Sequence, residues 1–301
     1  MKAATRSFYV LAVQRTIDQL AAHLDDAVAL TDLAEQAGLS PFHFHRVFRG
    51  MVGETPLELL RRLRLERAAW QLATTDRAVV DVAFDAGFET HEAFSRAFRD
   101  AYGSSPSGFR DRRTRRIELA VSSGVHYSPA GGAPAFIPRD SGGTAMRVDV
   151  VTHPLRRVAA VPHHGPYNQI AEAFGRLGAI AGPAGWFARP GLAMVAIYYD
   201  DPESVAPDTL RSDAGLVIPA DIELPPTVVE RTLPAGRYAR TEHAGPYDRL
   251  GDTWAQFMGE WLPASGHRVR AGVSYECYKN TPMETPPDLL RTDLYVPIGS
   301  D

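Results

Sequence analysis

The sequence predicts a multidomain chain: an all-α tandem helix-turn-helix N-terminal domain, followed by an α+β C-terminal domain built from two pseudo-symmetric repeats. Three observations carry this. The 301 residues exceed the roughly 250 over which a single core keeps growing. A segment of the first half recurs at a spacing of 49 to 50 residues, and a segment of the second half recurs at a spacing of 80. The boundaries that follow are 1–112, a linker at 113–145, and 146–301.

Bulk composition narrows the function classes. Hydrophobic residues make up 45% and charged residues 23%, as in ordinary globular domains. No stretch approaches the ~20 apolar residues that span a bilayer, and no cationic segment precedes an apolar run at the start. A cytoplasmic protein without a membrane partner is therefore expected. The one cysteine, Cys277, excludes an intrachain disulfide and a thiolate zinc cluster. Charge is split: residues 1–116 hold 17 Lys and Arg against 15 Asp and Glu, and residues 117–301 hold 15 against 21. The halves thus carry +2 and −6, which points to different partners for the two ends.

In the first half, Val13, Ile17, Leu20 and Leu24 have helical spacing and predict a first helix ending near Asp25 and Asp26. A short helix follows from Thr31 to Ala37, stopped by Gly38. Ser40 can then cap a third helix that has Pro41 in its first position. Phe44, Val47 and Phe48 form the buried back of this helix, and Phe42, His43, His45, Arg46 and Arg49 form its front. Such a front suits base edges in a major groove, where donors and acceptors are arrayed in a base-specific pattern. It equally describes the solvated face of a core helix. For His43 and His45 the alternative to DNA is an ordinary packed or surface histidine, since no Cys, Asp or Glu with ligand spacing stands nearby. No metal and no cofactor are expected.

The repeat favours reading over solvation. Asp81 to Gly87 matches Asp32 to Gly38, and Phe94, Arg96, Phe98, Arg99, Gly103 and Pro106 match Phe44, Arg46, Phe48, Arg49, Gly53 and Pro56. Between the copies runs a helix from Leu57 to about Thr74, crowded with Arg61, Arg62, Arg64 and Arg67. These arginines are expected to pair partly with Glu58 and Glu66 and to leave the rest for phosphates.

With these motifs in place, residues 8 to 112 resemble the AraC/XylS family of bacterial transcription regulators. The resemblance is carried by Ala34, Ala37-Gly38, Ser40, Phe44, Arg46, Phe48, Gly53-x-x-Pro56, Arg64-Leu65-x-x-Ala68, Ala86-Gly87-Phe88, Phe94-x-x-x-Phe98 and Gly103-x-x-Pro106-x-x-Phe109-Arg110. It implies two reading helices in successive major grooves of double-stranded DNA. By position, Phe42, His45 and Arg46 would approach bases from the first helix, and His91, Glu92, Ser95 and Arg96 from the second. Glu92 departs from that chemistry, because a carboxylate either accepts from cytosine or repels.

From Arg112 to Arg116 the chain is basic, and it continues through Ser122-Ser123-Gly124 and Pro129 to Pro134 to Ser141-Gly142-Gly143. This composition predicts a linker or extended strap with little apolar burial. Beyond Met146, His163-x-Gly165-Pro166-Tyr167 returns as His243-x-Gly245-Pro246-Tyr247. Tyr198 and Pro202 return as Tyr278 and Pro282, and Pro207-Asp208-x-Leu210-Arg211-x-Asp213 as Pro287-Asp288-x-Leu290-Arg291-x-Asp293, all at the one offset.

This half resembles the GyrI-like small-molecule-binding domain, on its two Gly-Pro-Tyr segments, Tyr275-Glu276-Cys277-Tyr278, and Leu290 to Ile298. The resemblance implies a pocket of aromatics with a carboxylate, suited to lipophilic cations. Strand alternation puts Ser274, Glu276 and Tyr278 on one face, and the 80-residue offset matches them to Met194, Ala196 and Tyr198. A pocket between these faces holds two tyrosines and one carboxylate. Tyr167, Tyr247 and Trp254 complete the expected ligand-binding set, although the two tyrosines follow Gly-Pro turns and Trp254, with Phe257 and Trp261, has core spacing.

These readings together predict a regulator that reads DNA with its first half and binds a small, lipophilic cationic effector with its second, with RNA polymerase as a further partner. The alternative is a GyrI-like hydrolase fused to a DNA-binding domain, with Glu276 as base and Tyr198 or Tyr278 as donors. No Ser-His-Asp, Cys-His or P-loop spacing supports another chemistry, so no catalytic residue is assigned.

Overall fold

Side-chain caps from Ser40, Thr55, Thr90 and Ser105 start four of the N-terminal helices. The computed structural model describes residues 2–26, 28–112, 116–132, 135–139, 146–200 and 205–299. Seven helices fill the first part: α1 (Lys2–Ala22), α2 (Leu30–Gln36), α3 (Pro41–Val52), α4 (Pro56–Thr74), α5 (Val79–Asp85), α6 (His91–Tyr102) and α7 (Pro106–Arg110). Ser40 caps α3 by accepting from the His43 amide at 3.3 Å, and Thr90 caps α6 through the Ala93 amide at 3.2 Å. Gly38 and Gly87, with φ of +67° and +79°, make the turns between the two helix pairs. α1 ends at Ala22, before the expected Asp25, and α2 begins at Leu30 without a side-chain cap.

Three of the four arginines of α4 are structural. Arg62 bonds Glu54 at 2.7 Å and Glu66 at 3.1 Å, Arg64 donates to the carbonyls of Leu24 and Asp26, and Arg67 reaches Asp25 and the Asp85 carbonyl. Arg61 stays exposed on this helix. Glu58, expected to pair with an arginine, instead closes a capping box with Thr55.

The connector departs more strongly from expectation. Arg113, Arg115, Pro134 and Ser141 to Gly143 lie outside the described residues, as does Pro202 of the second repeat. Its described residues are a packed strap. Val125 and Phe136 are buried in the main core. The fully buried Glu66 carboxylate accepts from the amides of Leu119 (2.9 Å) and Tyr127 (2.8 Å) and pairs with His126 (3.0 Å). Two apolar anchors and one carboxylate therefore hold a segment whose composition is otherwise that of a linker.

The C-terminal part is an antiparallel sheet with helices. Its strands are β1 (Val148–His153), β2 (Arg156–His164), β3 (Ala193–Tyr198), β4 (Arg211–Ile218), β5 (Val229–Leu233), β6 (Gly236–Ala244), β7 (Arg268–Val269), β8 (Tyr275–Tyr278) and β9 (Arg291–Gly299). The order is β1-β6-β9-β8-β3-β4-β2-β5, with β7 on the end of β9. At the centre β3 pairs with β8 so that Met194 faces Tyr278 and Ala196 faces Glu276. Helix α8 (Ala171–Ala181) covers one half of the sheet. The other half carries α9 (Leu250–Gln256), a π-helical turn (Phe257–Trp261) and α10 (Leu262–Ser265).

One core crosses the two parts. Tyr9, Val13, Ile17, Phe44, Phe48 and Met51 share it with Trp254, Phe257, Met258, Leu262, Leu294 and Ile298. α3 packs on α9 and the π-turn, and α1 packs on α10. Among the described residues no helix is long and apolar enough to cross a membrane.

Replacing Glu66 with Ala leaves the buried Arg62 with Glu54 alone and removes the acceptor of two strap amides. A loss of about 3–5 kcal/mol is expected, read as a lowered urea midpoint; an unshifted midpoint would show that the strap does not depend on this carboxylate.

Candidate effector cage and DNA-reading helices

The Glu276 carboxylate sits inside an aromatic cage. Its position on β8, opposite Ala196 of β3, buries it to 3% exposure. A charge so buried needs donors, and three supply them. Trp254 donates from Nε1 to Oε1 at 2.8 Å, while Tyr278 and Tyr198 donate to Oε2 at 2.8 and 3.3 Å. The two hydroxyls lie 3.2 Å apart. Both phenols are pushed well above their ordinary pKa, first by burial and then by the charge of Glu276, so they remain donors.

Around this centre the walls are also aromatic. The Tyr167 ring stands 4.6 Å from that of Tyr198, and Tyr247 and Phe174 stand 5.3 and 5.6 Å from Tyr278. Tyr167 ties its hydroxyl to the Asp200 carbonyl at 2.7 Å, so it braces a loop while its ring faces the cage. Met194, half-buried beside the α8 core, lies across from Tyr278. All seven ligand-site residues expected from the sequence therefore lie along the β3–β8 pair or on the elements that cover it. Trp254 is both core and cage, because its ring is buried while its N–H reaches the carboxylate.

The histidines before the Gly-Pro turns are latches. His163 and His243 each donate from Nε2 to a proline carbonyl, Pro166 and Pro246, at 3.1 Å, which leaves Nδ1 of His243 to accept from Thr253 at 2.7 Å. Their bonding is that of turn supports. A separate groove of about 620 Å³, lined by Arg147, Asp149, Arg240, Glu242, Arg249 and Asp252 among others, is polar and lies away from the cage.

The two candidate reading helices differ sharply. On α6, His91, Glu92 and Arg96 are exposed and Ser95 is half-buried, above a back formed by Phe94 and Phe98. On α3 the front predicted to face a partner is covered. Phe42, His43 and His45 are buried at 4%, 4% and 3% exposure, Arg46 is half-buried, and only Arg49 stands exposed on this front. The cover is the C-terminal domain itself: Phe42 meets Trp254 edge-on at 5.9 Å, and His43 Nε2 lies 2.7 Å from Ser274 Oγ. Sequence reasoning missed this contact. Its signal was Gly50 in the last turn of α3, where glycine within a helix is unfavourable unless a backbone approaches. A Cβ at Gly50 would collide with the Ala255 carbonyl and with Gly259, and one at Gly259 would collide with Gly50.

Comparison with known proteins agrees with both parts. Residues 146–299, just over half of the chain, match the family described as the GyrI-like small molecule binding domain, and residues 33–112 match a helix-turn-helix domain. The chain belongs to the GyrI-like family. The regulatory protein SoxS of Salmonella typhimurium is 34% identical over 100 residues, which are 33% of this chain and 94% of SoxS. YbfP of Bacillus subtilis, an uncharacterized HTH-type transcriptional regulator, is 37% identical over 103 residues, 34% of this chain. The chain spans 35% of YbfP. A DNA gyrase inhibitor of Serratia proteamaculans is 35% identical over 146 residues, 45% of this chain and 88% of the inhibitor. An AraC-type helix-turn-helix DNA-binding domain and a GyrI-like domain are thus joined in one chain.

Docking of α3 is expected to depend on pH through His43. Burial, reinforced by the Arg46 charge, lowers its pKa from 6.5 to about 3. The docked ring is neutral and the undocked ring titrates near 6.5, so protons favour undocking. Docking has its full strength above pH 6.5 and loses about 1.4 kcal/mol per unit as pH falls from 6.5 toward 3. Small-angle scattering should show the chain expanding between pH 7.5 and 5.5, with the change suppressed in His43→Asn; identical profiles at the two pH values would refute the coupling.

Proposed function

We propose that the protein is a ligand-responsive transcription regulator whose effector is a small, lipophilic organic cation. The observation that carries this is the Glu276 cage: one carboxylate enclosed by Trp254, Tyr198 and Tyr278, with further rings behind. Aromatic faces add about 0.5–2 kcal/mol of cation–π attraction to that charge, and an apolar surround selects cations that shed water cheaply. Three of the carboxylate's roughly four lone-pair sites are already taken by donors, which suits recognition of charge better than proton abstraction as a hydrolytic base.

In this reading double-stranded DNA is the partner of α3 and α6. His91, Glu92, Ser95 and Arg96 reach bases from α6 as it stands, and Phe42, His43, His45, Arg46 and Arg49 do so from α3 once it is uncovered. RNA polymerase is the partner through which DNA occupancy acts on transcription.

Two measurements follow. With tetraphenylphosphonium as probe and tetraphenylborate as its anionic counterpart, Glu276→Gln should weaken the cation at least about ten-fold, near 1.4 kcal/mol, and erase the preference for it in calorimetry. Equal losses for both ions would remove the charge from the argument, and chemically altered probe after incubation would favour the hydrolase. For DNA, Arg96→Ala should cost about 1–3 kcal/mol on sites selected in vitro and relax the base preference beneath it. Unchanged affinity and preference would take Arg96 out of the reading set.

A further inference from the structure

Arg46 belongs to the reading front of α3, yet its guanidinium is held against the effector site. The guanidinium carbon lies 3.7 Å from the centroid of the Phe42 ring and 5.1 Å from that of Trp254. Trp254 is the residue that donates to Glu276 at 2.8 Å. A cation from the DNA-reading helix and the carboxylate of the cage therefore share one indole. Close by, His43 meets Ser274, two residues before Glu276 in the chain. The charge of Arg46 is felt inside the cage, where it opposes the rise in the Tyr198 pKa.

We propose that Arg46 is an internal substitute for the cationic effector: docked α3 seats a guanidinium on the Trp254 side of the cage, and a bound organic cation displaces it and releases α3 for DNA. This rests on the cationic reading of the cage given above. A guanidinium is planar, delocalised and weakly hydrated, which places it in the chemical class that aromatic cages accept. Two such charges against one indole repel each other, so the effector and Arg46 exclude each other. The exclusion provides the difference in affinity between docked and undocked states without which a ligand shifts nothing. It also gives the docked state a defined deficit, since only α6 of the two reading helices is presented.

The experiment titrates full-length protein with tetraphenylphosphonium by calorimetry and follows amide exchange over residues 41–52. Two variants accompany the wild type. Arg46→Met removes the guanidinium and keeps its length, and Gly259→Leu places a side chain where the Gly50 backbone stands. Each should bind the probe at least ten-fold more tightly than wild type, and saturating probe should speed exchange across residues 41–52 of the wild type. Equal affinities in all three, with exchange unchanged, would overturn the internal substitute while leaving the cage as a cation site. Absence of binding in all three would overturn both. Should Gly259→Leu fail to fold, Arg46→Met decides the outcome alone.

Discussion

The backbone contact between Gly50 of α3 and Gly259 of the π-turn sets the arrangement of the whole molecule. Side chains keep most packed helices 8–10 Å apart; here neither helix has one at the crossing, and a Cβ on either would strike the other's backbone. That closeness brings Phe42 onto Trp254 and His43 onto Ser274. It also merges the two domains into one core running from Tyr9 and Phe48 to Phe257 and Ile298. The strap adds to it from the side, with Val125 and Phe136 buried in the same core and Glu66 fixing the backbone at Leu119 and Tyr127.

The contacts between α3 and the cage are individually modest. Burying Phe42 contributes about 1.5–3 kcal/mol, the His43–Ser274 hydrogen bond about 1, and the guanidinium over the rings about 0.5–2. The cage-facing contacts of α3 thus amount to a few kcal/mol, and the core that Phe48 and Met51 share with Trp254 and Phe257 adds to them. Trp254 links the two groups, since its indole holds Glu276 through Nε1 while its ring faces Arg46.

Much of this was legible in the residues. Ser40, Pro41 and Gly38 locate α3 because capping is local chemistry, and the 80-residue offset matches Ala196 to Glu276, which pair across the centre of the sheet. Strand alternation and the same offset bring Met194, Tyr198, Glu276 and Tyr278 together, whereas Trp254 has core spacing in the sequence and Phe174 carries no signal there. The docking of α3 was not legible, because it joins residues about 200 positions apart and no local pattern encodes it. A comparison of the two copies did hold a trace: Phe42, His43, His45 and Gly50 stand where α6 has Glu92, Ala93, Ser95 and Asp100. The first front is the one that tolerates burial, as its structure requires; α6 keeps the polar set and remains open. The connector misled in the other direction, because a Pro/Gly-rich composition conceals two well-placed apolar anchors and says nothing of a carboxylate contributed by α4.

In the proposed switch, α3 rests against the cage until a cation takes the place of Arg46. Pulsed electron–electron resonance between spin labels at exposed Gln36→Cys and Asp248→Cys, in a Cys277→Ser background, measures that separation directly. The account predicts one short distance in the free protein and a second, longer population that grows with added tetraphenylphosphonium. A long distance in the free protein, or a distribution that saturating cation leaves unchanged, would contradict it.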